Sequence, residues 1–226
     1  INPKEIDLSL ERVKTVFERL QINIPEKNVF LIGGTNGKGT TTSILEQLFR
    51  KSGYKTGAFT SPHLTQYNER VRINLNDSSD KDWISAFETI ENVRGDIPLT
   101  YFEFSALAAF QMLSNCDCDA WLIEVGLGGR LDATNIIESS VSLLTSIAMD
   151  HEEWLGDSIE KIATEKVGIA KMNRPLIFGD VVAVDEIEKG CFEKGAELRR
   201  KEHDFKGFSD QNHFFFKGVS QRINDI

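Results

Sequence analysis

The chain has 226 residues, with 26 Lys and Arg against 35 Asp and Glu, a formal net charge of −9 and a pI near 5.0. That balance argues against nucleic acid held by broad phosphate neutralisation, which needs a basic face. Hydrophobic residues at 40%, charged residues at 27% and a mean hydropathy of −0.26 exclude a disordered or fibrous chain, and no apolar run approaches the ~20 residues of a membrane span. Lys4, Glu5, Asp7, Glu11, Arg12, Lys14, Glu18 and Arg19 lead us to expect neither a signal peptide nor an anchor. Cys116, Cys118 and Cys191 are odd in number and cannot form a disulfide framework, so a reducing cytoplasm is expected. Cys116-Asp-Cys118 lacks a second pair at ligand spacing and reads as two structural thiols.

In chain order, Leu10, Val13, Phe17 and Leu20 at helical spacing behind Asp7, a plausible N-cap, predict a helix over 7–21. Asn28-Val-Phe-Leu-Ile32 predicts a buried strand running into glycines, followed by a helix over 38–52 that closes at Gly53 and a strand over 56–60 that stops at Ser61-Pro62. Trp83, Ile84, Phe87, Ile90 and Val93 give an amphipathic helix ended by Gly95, and residues 104–113 a more apolar one. Consecutive apolar residues at 120–125 and 141–147 predict strands buried on both faces. Helix signals at 158–171 and 184–194 flank a strand at 175–178. The alternation predicts an α/β fold, a mostly parallel sheet with helices on both faces, built as one nucleotide-binding domain over 1–226. Its last part, 201–226, is read as a hairpin extension around Ser209-Asp-Gln-Asn212 with Phe214, Phe215 and Phe216 as its core. The absent initiator Met and the stop just after a strand lead us to expect that the natural chain is longer.

Gly33-Gly-Thr-Asn-Gly-Lys38-Gly-Thr40 lies between the first strand and the next helix. Phosphate binding needs glycines that turn backbone N–H groups inward, a helix N-terminus, a Lys for the terminal phosphates and a hydroxyl near Mg²⁺. The loop departs from G-x-x-x-x-G-K-[ST], since Ile32 stands where the first Gly would be and Gly39 separates Lys38 from Thr40. Glu124 interrupts an apolar strand, and an ionised carboxylate there must be paired or metal-bound; a strand-end salt bridge is the plain alternative. Gly126-Leu-Gly-Gly129 is not a dinucleotide fingerprint, because Leu131 stands where the third Gly belongs. Lys166 projects from the middle of an apolar face made by Ile159, Ile162, Ala163, Val167 and Ala170, whereas Lys161 and Lys171 do not. It is either a desolvated, reactive amine or a snorkelling lysine.

The string Gly34-Thr-Asn-Gly-Lys-Gly-Thr40 resembles the ATP loop of the Mur ligase superfamily, in particular its folylpolyglutamate synthase/dihydrofolate synthase branch. Ser61-Pro-His-Leu64, Asn68-Glu-Arg-Val-Arg72, Leu99-Thr-Tyr-Phe-Glu103, Glu124-Val-Gly-Leu-Gly-Gly-Arg-Leu-Asp-Ala-Thr-Asn135, Asp150-His151 and Glu165-Lys166-Val-Gly-Ile169 match that branch in the same order. The resemblance implies that Thr35, Asn36, Gly37, Lys38, Gly39 and Thr40 hold ATP. It implies Ser61, Glu124 and His151 as Mg²⁺ ligands, with Lys38, Lys166 and His151 as the catalytic set. Lys166 would carry a CO₂-derived carbamate supporting a second Mg²⁺ site. Thr100, Tyr101, Phe102 and Glu103, together with Leu131, Asp132 and Ala133, would contact the pterin.

The reaction implied is ATP-dependent amide formation, in which the carboxylate of dihydropteroate, or the γ-carboxyl of a folate, becomes an acyl phosphate and is joined to L-glutamate. The expected partners are these small molecules alone, with neither nucleic acid nor membrane, and a monomer is expected. Family members carry a further C-terminal domain, and nothing here matches it. The chain is therefore also readable as a nucleotide- and folate-binding fragment without turnover. A P-loop kinase is the remaining rival, but it would want a regular phosphate loop and gives Lys166 no role.

Overall fold

The computed structural model describes residues 9–25, 28–209, 214–218 and 222–223. Eight strands form one sheet: β1 (Val29–Gly33), β2 (Thr56–Phe59), β3 (Val71–Ile73), β4 (Asn76–Asp77), β5 (Ala120–Glu124), β6 (Val141–Leu144), β7 (Pro175–Phe178) and β8 (Glu197–Arg200). Their order across the sheet is β4-β3-β2-β5-β1-β6-β7-β8. The strands from β2 to β8 run parallel, and β3 and β4 add an antiparallel edge beside β2. Strands covered on both faces have no solvent side on which to place polar residues, and Val29, Leu31, Ile32, Trp121, Leu122 and Ile123 are all buried.

The helices are α1 (Glu11–Leu20), α2 (Lys38–Lys51), α3 (Asp80–Arg94), α4 (Tyr101–Ser114), α5 (Glu152–Leu155), α6 (Ile159–Val167) and α7 (Val184–Lys194). They cover the two faces unequally. On one face α2 alone closes over Ile32, Ala58 and Leu122 with Leu45 and Phe49. The main core is on the other face, where α4 lies on the sheet beneath α1 and α3, and α6 and α7 cover β6 and β7. Every residue of α4 from 103 to 110 is buried, which explains why it is apolar all round rather than amphipathic. The Phe110 ring stacks on Trp121 of β5 with centroids 6.5 Å apart.

Several boundaries differ from those expected. α1 starts at Glu11 with Leu10 in the N-cap position, and Asp7 lies outside the described residues. α6 stops at Val167, after which the N–H groups of Gly168, Ile169 and Ala170 bond three residues back in tighter turns, and Gly168 passes the backbone of Arg130 so closely that a Cβ would stand 2.5 Å from its Cα. Lys171 is thus off the helix, and its Nζ donates to Asn135 O. Phosphate-loop helix, central strands and α7 all stand where expected. At the chain's end β9 (Lys206–Ser209), β10 (Phe214–Lys217) and β11 (Arg222–Ile223) form a separate antiparallel sheet. The expected hairpin is β9 and β10, although its turn lies outside the described residues. Phe216 packs against Phe205 yet stays 39% exposed, so it does not close a hairpin core.

Candidate functional site

The crossover after β1 runs one way, through α2 to β2, while the connection after β5 runs the other way, past β1, to β6. Connections that diverge like this open a crevice at the carboxyl ends of the strands. The turns that follow β1, β2, β5 and β6 all lie at that end. They carry residues 34–40, Ser61, Gly126 and Thr145 respectively.

Gly34 has φ +132, and a Cβ there would meet Thr145 Oγ1 at 2.0 Å, so the turn needs glycine. Gly37, at φ 86, occupies the N-cap position of α2 and makes no side-chain cap. The helix therefore presents free N–H groups and the positive end of its dipole to the crevice. The loop after β6 holds this turn from behind. Thr35 N–H donates to Ser146 O at 2.8 Å, Asn36 N–H to Ser146 Oγ at 3.0 Å, and Thr145 Oγ1 to Asn36 O at 2.7 Å. The Thr35 hydroxyl is engaged as well, donating to Ala148 O and accepting from Ala148 N–H. Thr35 thus braces the loop through its side chain, while Lys38 folds back to donate to Gly34 O and Thr35 O at 3.0 and 3.2 Å. Thr40 is exposed at the helix start, next to Gly39.

Glu124 ends β5 and is 5% exposed. Its carboxylate faces the start of α2, where a Cβ on Gly39 would lie 3.7 Å from Oε2. One hydrogen bond reaches it, from Ser61 N–H at 3.4 Å. Burial pushes its pKa upward, against the opposing charges of Lys38 and Arg72. No cation forms a salt bridge with it among the described residues, so the strand-end ion pair that was the plain alternative is not what occupies this carboxylate.

Lys166, on α6, is 3% exposed. Burial first, and then the nearby Lys38 ammonium, lower its pKa to about 8, while Asp150 and Asp132 pull the other way. It is not a snorkelling lysine. His151 sits in the left-handed region at φ 48, ahead of α5, with Nε2 3.6 Å from Asp150. Its side chain is exposed at the rim, on the loop that brings Asp150 toward Lys166. Among the described residues no three His, Cys, Asp or Glu side chains form a cluster able to hold a metal ion by themselves.

Of the pterin candidates, Thr100 and Glu103 have structural work. Thr100 caps α4 by accepting from Glu103 N–H, while Glu103 accepts from Thr100 N–H at 2.7 Å and from Arg12 Nε at 3.0 Å. Phe102 points to the crevice side: a Cβ on Gly126 would lie 2.4 Å from its ring, and Phe59 is 6.1 Å away. Tyr101 points elsewhere, into a cavity of about 410 Å³ with Tyr67, Phe87, Phe104 and Ser105. Asp132 is buried and ties the glycine loop together, accepting from Leu127 N–H, Thr134 N–H and the Thr134 hydroxyl. Burial raises its pKa all the same. Leu131 is half-buried and Ala133 buried beside it, where the 3₁₀ turn packs on α4.

Sequence reading gave no role to Glu46, Arg70 or Arg72. Glu46 on α2 is 1% exposed and takes both Nε and Nη2 of Arg72 from β3. The signal was a carboxylate at a sheet-facing position of α2, one turn after buried Thr42, which demands a cation. Arg70 is buried with its guanidinium over the Tyr67 and Tyr101 rings, at 5.2 and 5.6 Å, and its Nε donates to His63 Nδ1.

The sequence profile of the Mur ligase middle domain matches residues 32–215. The chain belongs to the Mur ligase family. Within that family it is 45% identical over 201 residues to the dihydrofolate synthase/folylpolyglutamate synthase of Escherichia coli strain K12, a match covering 89% of this chain and 48% of the relative. Escherichia coli FolC in complex with DHPP and ADP superposes with a TM-score of 0.96 at 41% identity, over 100% of this chain and 54% of that one. A bifunctional folylpolyglutamate synthase/dihydrofolate synthase with Mn, AMPPNP and L-glutamate bound gives a TM-score of 0.91 at 42% identity, over 97% of this chain and 53% of that one. The chain spans about half the length of the curated relatives it matches.

Proposed function

We propose that this chain is the nucleotide-binding part of an ATP-dependent amide ligase that joins L-glutamate to the carboxylate of dihydropteroate, or to the γ-carboxyl of a folate. The observation that carries the reading is a buried carboxylate, Glu124, that forms no salt bridge among the described residues and faces a helix N-terminus that follows a glycine loop and a lysine. Relatives of the same fold were solved with ADP and DHPP, and with AMPPNP, Mn and L-glutamate. On this reading residues 1–226 make one nucleotide-binding domain, with 201–226 as its hairpin extension, working in a reducing cytoplasm.

In the proposed site the N–H groups of residues 37–40 and the Lys38 ammonium hold the triphosphate, Lys38 leaving its carbonyl partners to do so, while the N–H groups of Thr35 and Asn36 stay on Ser146 and brace the loop. Glu124, Ser61 and His151 offer an open set of mostly oxygen donors, which suits an ion that keeps several waters. A bound Mg²⁺ would offset charge on the phosphate oxygens. The Lys166 amine, with its pKa near 8, is neutral often enough to add to CO₂ and lose a proton. The product is a carbamate, a carboxylate-like ligand for a second cation that also removes the repulsion between Lys166 and Lys38. The Phe102 ring against Gly126 offers an aromatic face to a pterin. Held there, the substrate carboxylate attacks the γ-phosphorus and ADP leaves. The glutamate amine then attacks the acyl carbon, loses a proton, and inorganic phosphate departs. Lys38 stabilises the charge that develops in the first step.

The test is ADP release from Mg-ATP with dihydropteroate, in the presence and absence of L-glutamate. Release that requires glutamate supports the ligase; release indifferent to glutamate, or phosphorylation of a hydroxyl, contradicts it.

A further inference from the structure

Arg72 stands at a junction that neither the phosphate loop nor the folate pocket explains. It lies on β3, opposite Ala58 of β2, one residue before the end of that strand. Its guanidinium has two sets of partners. Toward α2 it grips buried Glu46, Nε lying 3.1 and 3.2 Å from the two carboxylate oxygens and Nη2 2.5 Å from Oε2. Toward the turn after β2, Nη1 donates to Thr60 Oγ1 at 3.1 Å and to Glu69 O at 3.0 Å. Thr60 is buried, and its N–H donates to Arg70 O. The next residue is Ser61, whose N–H meets Glu124. Glu69 in turn holds the following loop, its carboxylate accepting from the N–H groups of Leu64, Thr65 and Gln66. One planar side chain thus ties the helix that opens at Lys38 to the turn that presents Ser61.

We propose that Arg72 is a positioning residue for the divalent cation, bracing Thr60 and the Glu69 carbonyl against α2 through Glu46 so that Ser61 and Glu124 stand at a fixed separation from the start of the helix. The inference rests on the reading that Ser61 and Glu124 hold the ion. Replacing a group that orients metal ligands typically costs ~10- to 100-fold in metal affinity. Lysine cannot replace arginine here. A single ammonium lacks the fork that grips a carboxylate on one side while donating to two oxygens on the other.

The experiment measures Mn²⁺ binding by electron paramagnetic resonance with AMPPNP present, AMPPNP binding in EDTA, and thermal melting, for the wild-type chain, Arg72→Lys and Thr60→Val. For Arg72→Lys the expected result is Mn²⁺ affinity lowered ~10- to 100-fold, with AMPPNP affinity in EDTA within about twofold of wild type. Thr60→Val, which at nearly constant shape removes the acceptor of Arg72 Nη1 and a long hydrogen bond from the hydroxyl to Glu69 O, is expected to lower Mn²⁺ affinity ~3- to 10-fold, in line with the loss of about one hydrogen bond. Unchanged Mn²⁺ affinity in Arg72→Lys overturns the proposal, as does an equal loss of metal-free nucleotide binding, which would mark a brace for the fold alone. Where Arg72→Lys does not fold, Thr60→Val decides, and its binding Mn²⁺ like wild type overturns the proposal. A wild-type chain that binds AMPPNP but no Mn²⁺ overturns the metal reading of Ser61 and Glu124 and this inference with it.

Discussion

Lys166 shows how one buried side chain converts environment into chemistry. Its pKa falls from 10.5 to about 8 on folding, so between those values the unfolded chain holds a proton that the folded chain has released. Stability therefore rises with pH through that window, and at neutral pH the cost of a buried cation is present in full. In metal-free, CO₂-free buffer, Lys166→Met is predicted to raise stability at pH 7 by up to about 3 kcal/mol. The gain should vanish toward pH 11, and thermal melts across that range check it. A variant less stable than wild type at pH 7 would mean that Asp150 and Asp132 favour the Lys166 cation more than burial disfavours it. Phe102 and Tyr101 give a second contrast, because adjacent aromatics point into different spaces. Phe102→Ala is expected to weaken dihydropteroate binding ~5- to 10-fold, the worth of one aromatic contact, whereas Tyr101→Phe leaves it unchanged by calorimetry. From sequence the two could not be told apart, since both follow a helix cap and neither is on a periodic face. Lys166 was legible because its apolar neighbours at helical spacing mark a buried face.

Among the elements, the periodic helices and the apolar strands were readable, and the short pieces of mixed or polar composition were not. α2, β5, β7 and α7 lie within a residue or two of their expected bounds. β3, β4, β8 and α5, each of two to four residues, carry too few side chains for a period to show. β8 also has the charges typical of an edge strand, Glu197, Arg199 and Arg200 among its four residues. The start of α4 illustrates a different limit: Thr100 and Glu103 spell a capping box and a family motif at once. The structure spends both on the cap, with Arg12 from α1 closing over Glu103. Thr100→Ala is accordingly predicted to cost about 1 kcal/mol of stability in urea titrations, with nucleotide affinity unaltered. A full-strength cap accompanied by lost dihydropteroate binding would instead assign Thr100 to the ligand.

For the molecule as a whole, the alternation of strand and helix gave the parallel sheet, because buried strands and their crossovers leave long-range signatures in composition. Strand order did not follow from the sequence. That β1 lies between β5 and β6 is a product of packing, and it is this order that gathers the turns bearing Lys38, Glu124, Ser61 and Thr145 at one end. The antiparallel edge that brings Arg72 onto Glu46 was equally hidden, being a contact between distant segments of short elements. No helix among the described residues is long and apolar enough to cross a membrane. On the proposed function, the crevice at the strand ends binds a metal–nucleotide through residues 34–40. Calorimetric titration of Mg-AMPPNP into the wild-type chain and Lys38→Ala tests it most directly. The account predicts saturable one-to-one binding by wild type, weakened at least ~100-fold in a variant of unchanged melting behaviour, as befits loss of a lysine paired with phosphate. Equal binding by both, or none by the folded wild type, would contradict it.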